Sequence, residues 1–333
     1  MRNNSISIRY TTFFVTFIVC FPSALLAAEH LKDVQSWLEK MHRATHTLNY
    51  IGTFVYGQGA QLSSVQLIHR TSKVGEQQRL VAMDGTGREV IRDGNKVMCI
   101  MPDSQAVVVS KVRPDKQFPP VFPINISNLT PFYTFSISGT SRVAGRKVQV
   151  ISITPKDEYR YGHRLWIDDK TGLLLKTHLV DRENKPIEQF MFTRIEYLNS
   201  IADQYLTPMN DGKDYTWYES SDGHGTEKKN PVGMDVAWLP PGFKHDTKKI
   251  QKLPNTAMPV EQMVFSDGLA SVSVFIEEEL QHDPSNLVGS SKMGGVNVHG
   301  RSLGDYHVTV MGEVPHKSVQ KISLSVAYTQ IDD

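Results

Sequence analysis

Hydrophobic positions change their period once, near residue 48. Leu31, Val34, Trp37, Leu38, Met41 and Leu48 recur at helical spacing, with Lys32, Asp33, Glu39, Lys40 and Arg43 between them, which predicts one amphipathic helix over 31–47. From Asn49 the chain turns to short β-branched and aromatic runs. Strands are predicted near 49–57, 63–70, 78–84, 87–93, 96–101, 105–111, 132–139, 146–154, 163–168, 173–181 and 187–197. Asp84-Gly85, Asp93-Gly94-Asn95, Ser138-Gly139, Ala144-Gly145 and Thr171-Gly172 supply the positive-φ residues that tight hairpin turns demand. Short antiparallel strands in sequence order describe a large, strongly curved meander sheet.

Such a sheet cannot be solvated on both faces. The material to cover it is the helix and the segment 113–123, where prolines 114, 119, 120 and 123 forbid regular structure and predict a loop lying across or beside the sheet. One helix and one loop underfill the concavity, which implies a ligand-sized apolar groove. Residues 207–231, rich in Asn, Asp, Gly and Ser, read as a flexible linker, although Tyr215, Trp217 and Tyr218 point to local docking. Beyond it, strand runs at 260–265, 270–277 and 307–311 and a helix from Pro315 to about Ala327 predict a small α+β domain.

The first 28 residues read differently. Arg2 and Arg9 precede an apolar run from Thr11 to Phe21, and Ala24-Leu25-Leu26-Ala27-Ala28 offers a cleavage site, so the stretch reads as a secretory signal peptide with maturation near Glu29. The apolar run is shorter than the ~20 residues of a membrane span. Val19 before Cys20 is branched where lipid attachment wants a small residue, so soluble export is expected.

With 36 Lys and Arg against 35 Asp and Glu, the chain has no basic excess, and phosphate-driven nucleic-acid binding is excluded as a working hypothesis. Cleavage would leave Cys99 alone, in the apolar run 96–101, so no intrachain disulfide is expected and a buried thiol is. His42 and His46 have the i, i+4 spacing of a metal pair but lack the intervening Glu and a third ligand, and His299 and His307 lack partners as well. Asp168-Asp169-Lys170-Thr171-Gly172 reads as a hairpin turn. Glu277-Glu278-Glu279 reads as a solvated strand end. No nucleophile elbow or phosphate loop is present in the sequence. No enzyme activity, metal or cofactor is expected.

Several stretches carry a family resemblance. Met83-Asp84-Gly85 with Arg88-Glu89-Val90, Arg92 and Gly94-Asn95 resembles a hairpin pair of the RseB/MucB periplasmic regulators. So do Leu129-Thr130-Pro131-Phe132-Tyr133, Arg142-Val143-Ala144-Gly145-Arg146, Leu165-Trp166-Ile167-Asp168, Glu188-Gln189-Phe190, Trp238-Leu239-Pro240-Pro241-Gly242-Phe243 and Phe265-Ser266-Asp267-Gly268-Leu269. The match runs in order from about Trp37 to Val326. It implies an α+β chain: a LolA/LolB-like unclosed antiparallel β-barrel with covering helices at 29–206, the linker at 207–231, and a smaller C-terminal α+β domain at 232–333 that binds an anti-sigma factor. It also implies a periplasmic role: binding the periplasmic part of an anti-sigma factor of the RseA or MucA type, protecting it from regulated proteolysis, and release by lipid or lipopolysaccharide fragments.

A lipid or lipoprotein carrier without a signalling partner is the alternative, disfavoured by the second domain. Strand alternation proposes Phe54, Tyr56, Val81, Met83, Leu165, Ile167, Leu173, Leu175, Phe190 and Phe192 for the concave side, as cavity lining or as plain core. Phe243, Phe265 and Phe275 are the aromatics proposed near the partner surface. Homo-oligomerisation stays open.

Overall fold

The computed structural model describes residues 23–73, 75–111, 120, 122–219, 233–251, 260–279 and 287–329, with the side chains of 23–30 and 251 left aside. Most of the expected leader, Cys20, Pro114, Pro119 and the linker stretch 220–231 lie outside the described residues.

Helix α1 spans Ser23–Thr47 and starts earlier than its apolar spacing predicts. It is followed by β1 (Asn49–Gln58), β2 (Gln61–Ser72), β3 (Gly75–Ala82), β4 (Glu89–Asp93), β5 (Lys96–Met101) and β6 (Ala106–Lys111). Then come β7 (Tyr133–Val143), β8 (Arg146–Pro155), β9 (Gly162–Asp168), β10 (Leu174–Val180), β11 (Pro186–Leu198) and β12 (Thr216–Glu219). These twelve strands form one sheet in the order β12-β6-β5-β4-β3-β2-β1-β11-β10-β9-β8-β7. Every pairing is antiparallel except β12 with β6, and the edge strands β7 and β12 do not meet, so the barrel is unclosed.

The turn chemistry works as the sequence predicts at most hairpins. Ala144 and Gly145 both take positive φ (46° and 75°), the geometry of the tight turn that matches strand twist. Asp168 Oδ1 accepts the amides of Lys170 and Thr171 at 2.8 and 2.9 Å and closes the β9–β10 turn. Gly172 in that turn (φ 84°) lies against α1, where a Cβ would stand 2.8 Å from the Lys40 carbonyl oxygen, and Lys40 Nζ donates to Asp169 O at 2.6 Å. Ser138-Gly139 is the exception. It is no hairpin turn but an irregularity inside β7, where the register to β8 shifts between Ile137 and Thr140.

A second sheet of six strands follows, ordered β14-β15-β16-β19-β18-β17. Its members are β14 (Lys244–Gln251), β15 (Val260–Ser266), β16 (Ser271–Glu278), β17 (Gly289–Met293), β18 (Val296–Leu303) and β19 (Tyr306–Gly312). Helix α2 (His316–Ser325) covers it with Val319 and Ile322, and the short strands β13 (Met234–Val236) and β20 (Val326–Tyr328) pair beside it. The architecture is α+β, a large unclosed sheet around α1 plus a smaller sheet-and-helix unit. Part of the expected linker is folded onto the first sheet as β12. No helix among the described residues is long and apolar enough to cross a membrane.

Candidate functional site

Cross-strand register defines which side chains share a face. On β1, Tyr50, Gly52, Phe54 and Tyr56 point one way; they align with His69, Leu67, Val65 and Ser63 of β2 and with Tyr197, Ile195, Phe192 and Phe190 of β11. Helix α1 lies on this inner face and buries Val34, Leu38, Met41 and Ala44 there. Phe54, Phe190 and Phe192 meet edge to face, with ring centroids 5.4 to 5.9 Å apart. Leu165, Ile167, Leu173 and Leu175 are fully buried in the same cluster, together with Phe122, Ile126 and Leu129 from the segment before β7. Seven of the sequence candidates are thus core under α1 in this structure. Tyr56, half-buried at the margin, donates its hydroxyl to Glu188 Oε2 at 2.6 Å.

The inner face continues beyond the helix. The ladders place Leu80 and Ala82 of β3 beside Leu67 and Val65, then Val90 of β4, Val97 and Cys99 of β5 and Val108 of β6. Leu80, Ala82, Val90, Val97, Cys99 and Val108 are only half-buried, and of these six only Leu80 packs against the α1 core. They form an apolar stripe about four strands wide. At one end, the hairpin turns border an open cavity of about 750 Å³ with Val65, Ala82 and Met101 on its apolar side and Asp84, Arg88 and Asp103 on its polar side. That volume falls in the ~300–1,000 Å³ range of small-molecule sites. Burial pushes the Cys99 thiol above its ordinary value, with the Arg88 charge opposing.

Val81 and Met83 do not belong to this stripe. Val81 pairs with Gln66 and Glu89, one register step from Leu80 and Ala82, so its side chain takes the outer face. That face is covered by the segment after β11: Arg79 Nη1 donates to Tyr205 O at 3.0 Å, the Met209 amide donates to Glu89 Oε2 at 3.1 Å, and Gly212 lies against the Val107 side chain of β6. Met83 lies past the end of β3 and is 56% exposed. The inner-face residues missed by sequence reasoning are Leu80, Val90, Cys99 and Val108. Apolar residues at adjacent positions, as in Leu80-Val81-Ala82, hide which face is which until the register is known.

In the second unit, Phe243 and Phe265 are 6% and 3% exposed and belong to the core beneath α2, not to an outer surface. Phe275 is half-buried on the opposite sheet face, with Gln262 and Thr309 as its ladder partners. On α1, His42 and His46 contact each other edge to face at 4.4 Å, and His46 Nδ1 pairs with Glu76. Among the described residues no group of three or more His, Cys, Asp or Glu side chains could hold a metal ion.

Comparison with known proteins bears on both units. A family model described as the MucB/RseB N-terminal domain matches residues 33–210, and one described as the MucB/RseB C-terminal domain matches 228–327. The sigma factor AlgU regulatory protein MucB of Pseudomonas aeruginosa is 32% identical over 307 residues, covering 90% of this chain and 92% of that protein. The sigma-E factor regulatory protein RseB of Haemophilus influenzae is 28% identical, covering 92% of this chain and 94% of its own. Among solved structures, MucB in complex with MucA(peri) superposes with a TM-score of 0.69 at 29% identity over 89% of this chain and 99% of that one. MucB solved alone covers 89% and 98% at 29% identity with a TM-score of 0.61.

Proposed function

This chain belongs to the MucB/RseB family, and from that premise we propose that it is a periplasmic regulator of an envelope-stress sigma factor. It binds the periplasmic domain of an inner-membrane anti-sigma factor of the RseA or MucA type and shields it from regulated proteolysis. Lipid or lipopolysaccharide fragments that occupy the first unit release it. The observation that carries this reading is the superposition, over 89% of the chain, on a relative solved with the periplasmic part of its anti-sigma partner. In the same reading the chain is exported by its leader and has no catalytic role.

The lipid-facing surface we assign is the half-buried inner-face stripe, Leu80, Val90, Cys99 and Val108, together with the cavity beside Met101. An apolar floor with Arg88 at the rim suits an acyl chain whose headgroup stays in water. Each buried methylene contributes about 0.8 kcal/mol, so a chain of eight carbons could bind measurably without a charged clamp. The test is calorimetric titration of the mature chain with the periplasmic domain of the anti-sigma factor from the same genome, followed by a protease-protection assay on that domain. Micromolar or tighter binding with slowed cleavage supports the reading. Absence of binding, with the chain folded, refutes it.

A further inference from the structure

Three of the stretches that carry the family resemblance hold no catalytic chemistry, and in the folded chain they come together around one side chain. Arg160, in the loop between β8 and β9, is 0% exposed, and so is the side chain of Asp267 from the second unit. Arg160 Nη1 donates to Asp267 Oδ2 at 2.6 Å, Nη2 donates to Pro241 O at 2.6 Å, and Nε donates to Asp157 Oδ1 at 3.1 Å. Tyr133 OH donates to the same Asp267 oxygen at 2.9 Å. The guanidinium stands 5.0 to 5.3 Å from the ring centres of Phe132, Tyr133 and Phe243. Gly242 takes φ 88°, and a Cβ there would run into the Phe132 ring.

This seam joins the two units at several points. Asn297 Nδ2 donates to Tyr161 OH at 2.9 Å, the Gly295 amide donates to Glu188 Oε1 at 2.6 Å, and Ser318 Oγ donates to Tyr159 O at 2.7 Å. Arg160 differs from these contacts in kind. Arg160 is paired with two carboxylates, Asp157 of its own loop (Nη2 to Oδ2, 3.0 Å) and Asp267 across the seam, and a charge held without exposure is tolerated only while its counter-charges and acceptors are in place, so the seam is either closed around Arg160 or open to water there. The chain in this closed state superposes on MucB bound to MucA(peri) with a TM-score of 0.69 and on MucB alone with 0.61, at the same 89% coverage.

We propose that Arg160 is a positioning residue: by holding Asp267 and Pro241 against the first unit it sets the mutual arrangement of the two units that the anti-sigma partner binds. The partner half of this proposal rests on the function proposed above; the arrangement half does not. Arg160 itself touches neither lipid nor partner and acts through the placement of the second unit.

The experiment uses the full mature chain in a Cys99→Ser background with spin labels on Glu196→Cys and Gln320→Cys, both exposed positions. Asp267→Asn keeps an oxygen for its own turn but turns an amide towards Arg160 and Tyr133. It is expected to broaden the narrow interlabel distance distribution and to weaken the partner's periplasmic domain at least tenfold, while decanoyl-chain binding to the first unit stays within twofold. Arg160→Lys, which keeps the charge but not the three-way hydrogen bonding, is expected to do the same more mildly and serves should Asp267→Asn fail to fold. A distribution that stays narrow in both variants overturns the proposal. So does a broadened distribution with unchanged partner affinity. If the unmutated chain fails to bind the partner's domain, the function reading and the partner half fall, and the distance measurement still decides whether Arg160 sets the arrangement.

Discussion

Truncation of Phe192 separates core from lining. The side chain is fully buried between Phe54, Phe190 and Tyr50, in edge-to-face contacts at 5.4 to 6.2 Å. Loss of a buried phenyl ring to Ala costs about 3–5 kcal/mol. For a cooperative unit of roughly 150–250 residues each kcal/mol lowers the melting temperature by about 2–4 °C, so Phe192→Ala should lower it by about 6–20 °C. Val108→Asn should do the reverse. Val108 is half-buried on the inner-face stripe, so its change costs the fold little, but it removes the equivalent of two methyl contacts, ~1.5 kcal/mol or about tenfold in acyl-chain affinity. Thermal unfolding followed by circular dichroism and displacement of a fluorescent fatty-acyl probe read the two effects separately. If Phe192→Ala weakened the probe while the melting temperature moved by less than about 2 °C, Phe192 would line the cavity and the division of the inner face drawn here would be wrong.

Glu89→Ala should leave Arg79 buried without its counter-charge and free the Met209 amide, at a cost of about 3–5 kcal/mol; hydrogen exchange should rise first around Tyr205 and Met209, and uniform protection there would count against it. Cys99 should react slowly with maleimide, faster as pH rises because burial raises its thiol, and a bound decanoyl chain should slow it at least fivefold; equal rates with and without lipid would remove Cys99 from the lipid surface. Burial alone would raise Asp168, but Arg146 and the amides of Thr171 and Lys170 more than offset it and hold the carboxyl below the ordinary aspartate range. Its contribution is therefore present above the unfolded pKa and lost as pH falls through the lower folded value, so Asp168→Asn should cost ~1.5–3 kcal/mol at neutral pH and flatten the acid limb of the urea midpoint, a limb of unchanged slope being the contrary result. Lipid and partner should oppose each other reciprocally: if lipid weakens the partner ~10-fold, the partner must weaken lipid ~10-fold, a coupling of ~1.4 kcal/mol, and unequal shifts in titrations run in the two orders would refute a single linked scheme.

The eleven strands from β1 to β11 were legible because each is a short apolar run bounded by residues that turn the chain. Strand β12 was not, because Thr216–Glu219 is exposed throughout and carries no alternation; its position is set by parallel pairing with β6 and by Trp217 reaching Gly212. In the second unit no strand is predicted for β17 or β18, which meet at Gly294; β17 is exposed along nearly its whole length and carries no apolar alternation. The candidate site was half legible for a related reason. Phe54 and Phe190 follow from alternation on strands with one apolar face, whereas β3 carries apolar side chains on both, Leu80 and Ala82 on the half-buried inner side and Val81 on the buried outer one. Its outer face is covered by residues 201–215, more than a hundred positions away in sequence, so Val81 is as apolar as Leu80 and the period-two signal vanishes.

A motif without chemistry invites a structural explanation, and Asp267 provides one. Its Oδ1 accepts the amides of Leu269 and Ala270, both at 2.8 Å, and so closes the turn between β15 and β16, while its Oδ2 accepts from Arg160 and Tyr133 of the other unit. The local turn alone would be served by Asn or Ser. Only a carboxylate closes the turn and also neutralises a buried guanidinium. The same double demand falls on Gly242, whose positive φ a few residues could adopt but whose contact with Phe132 leaves no room for a Cβ. Each residue is overdetermined by the seam rather than by its own unit, which is why a sequence reading could find these stretches specific and yet find no reaction for them.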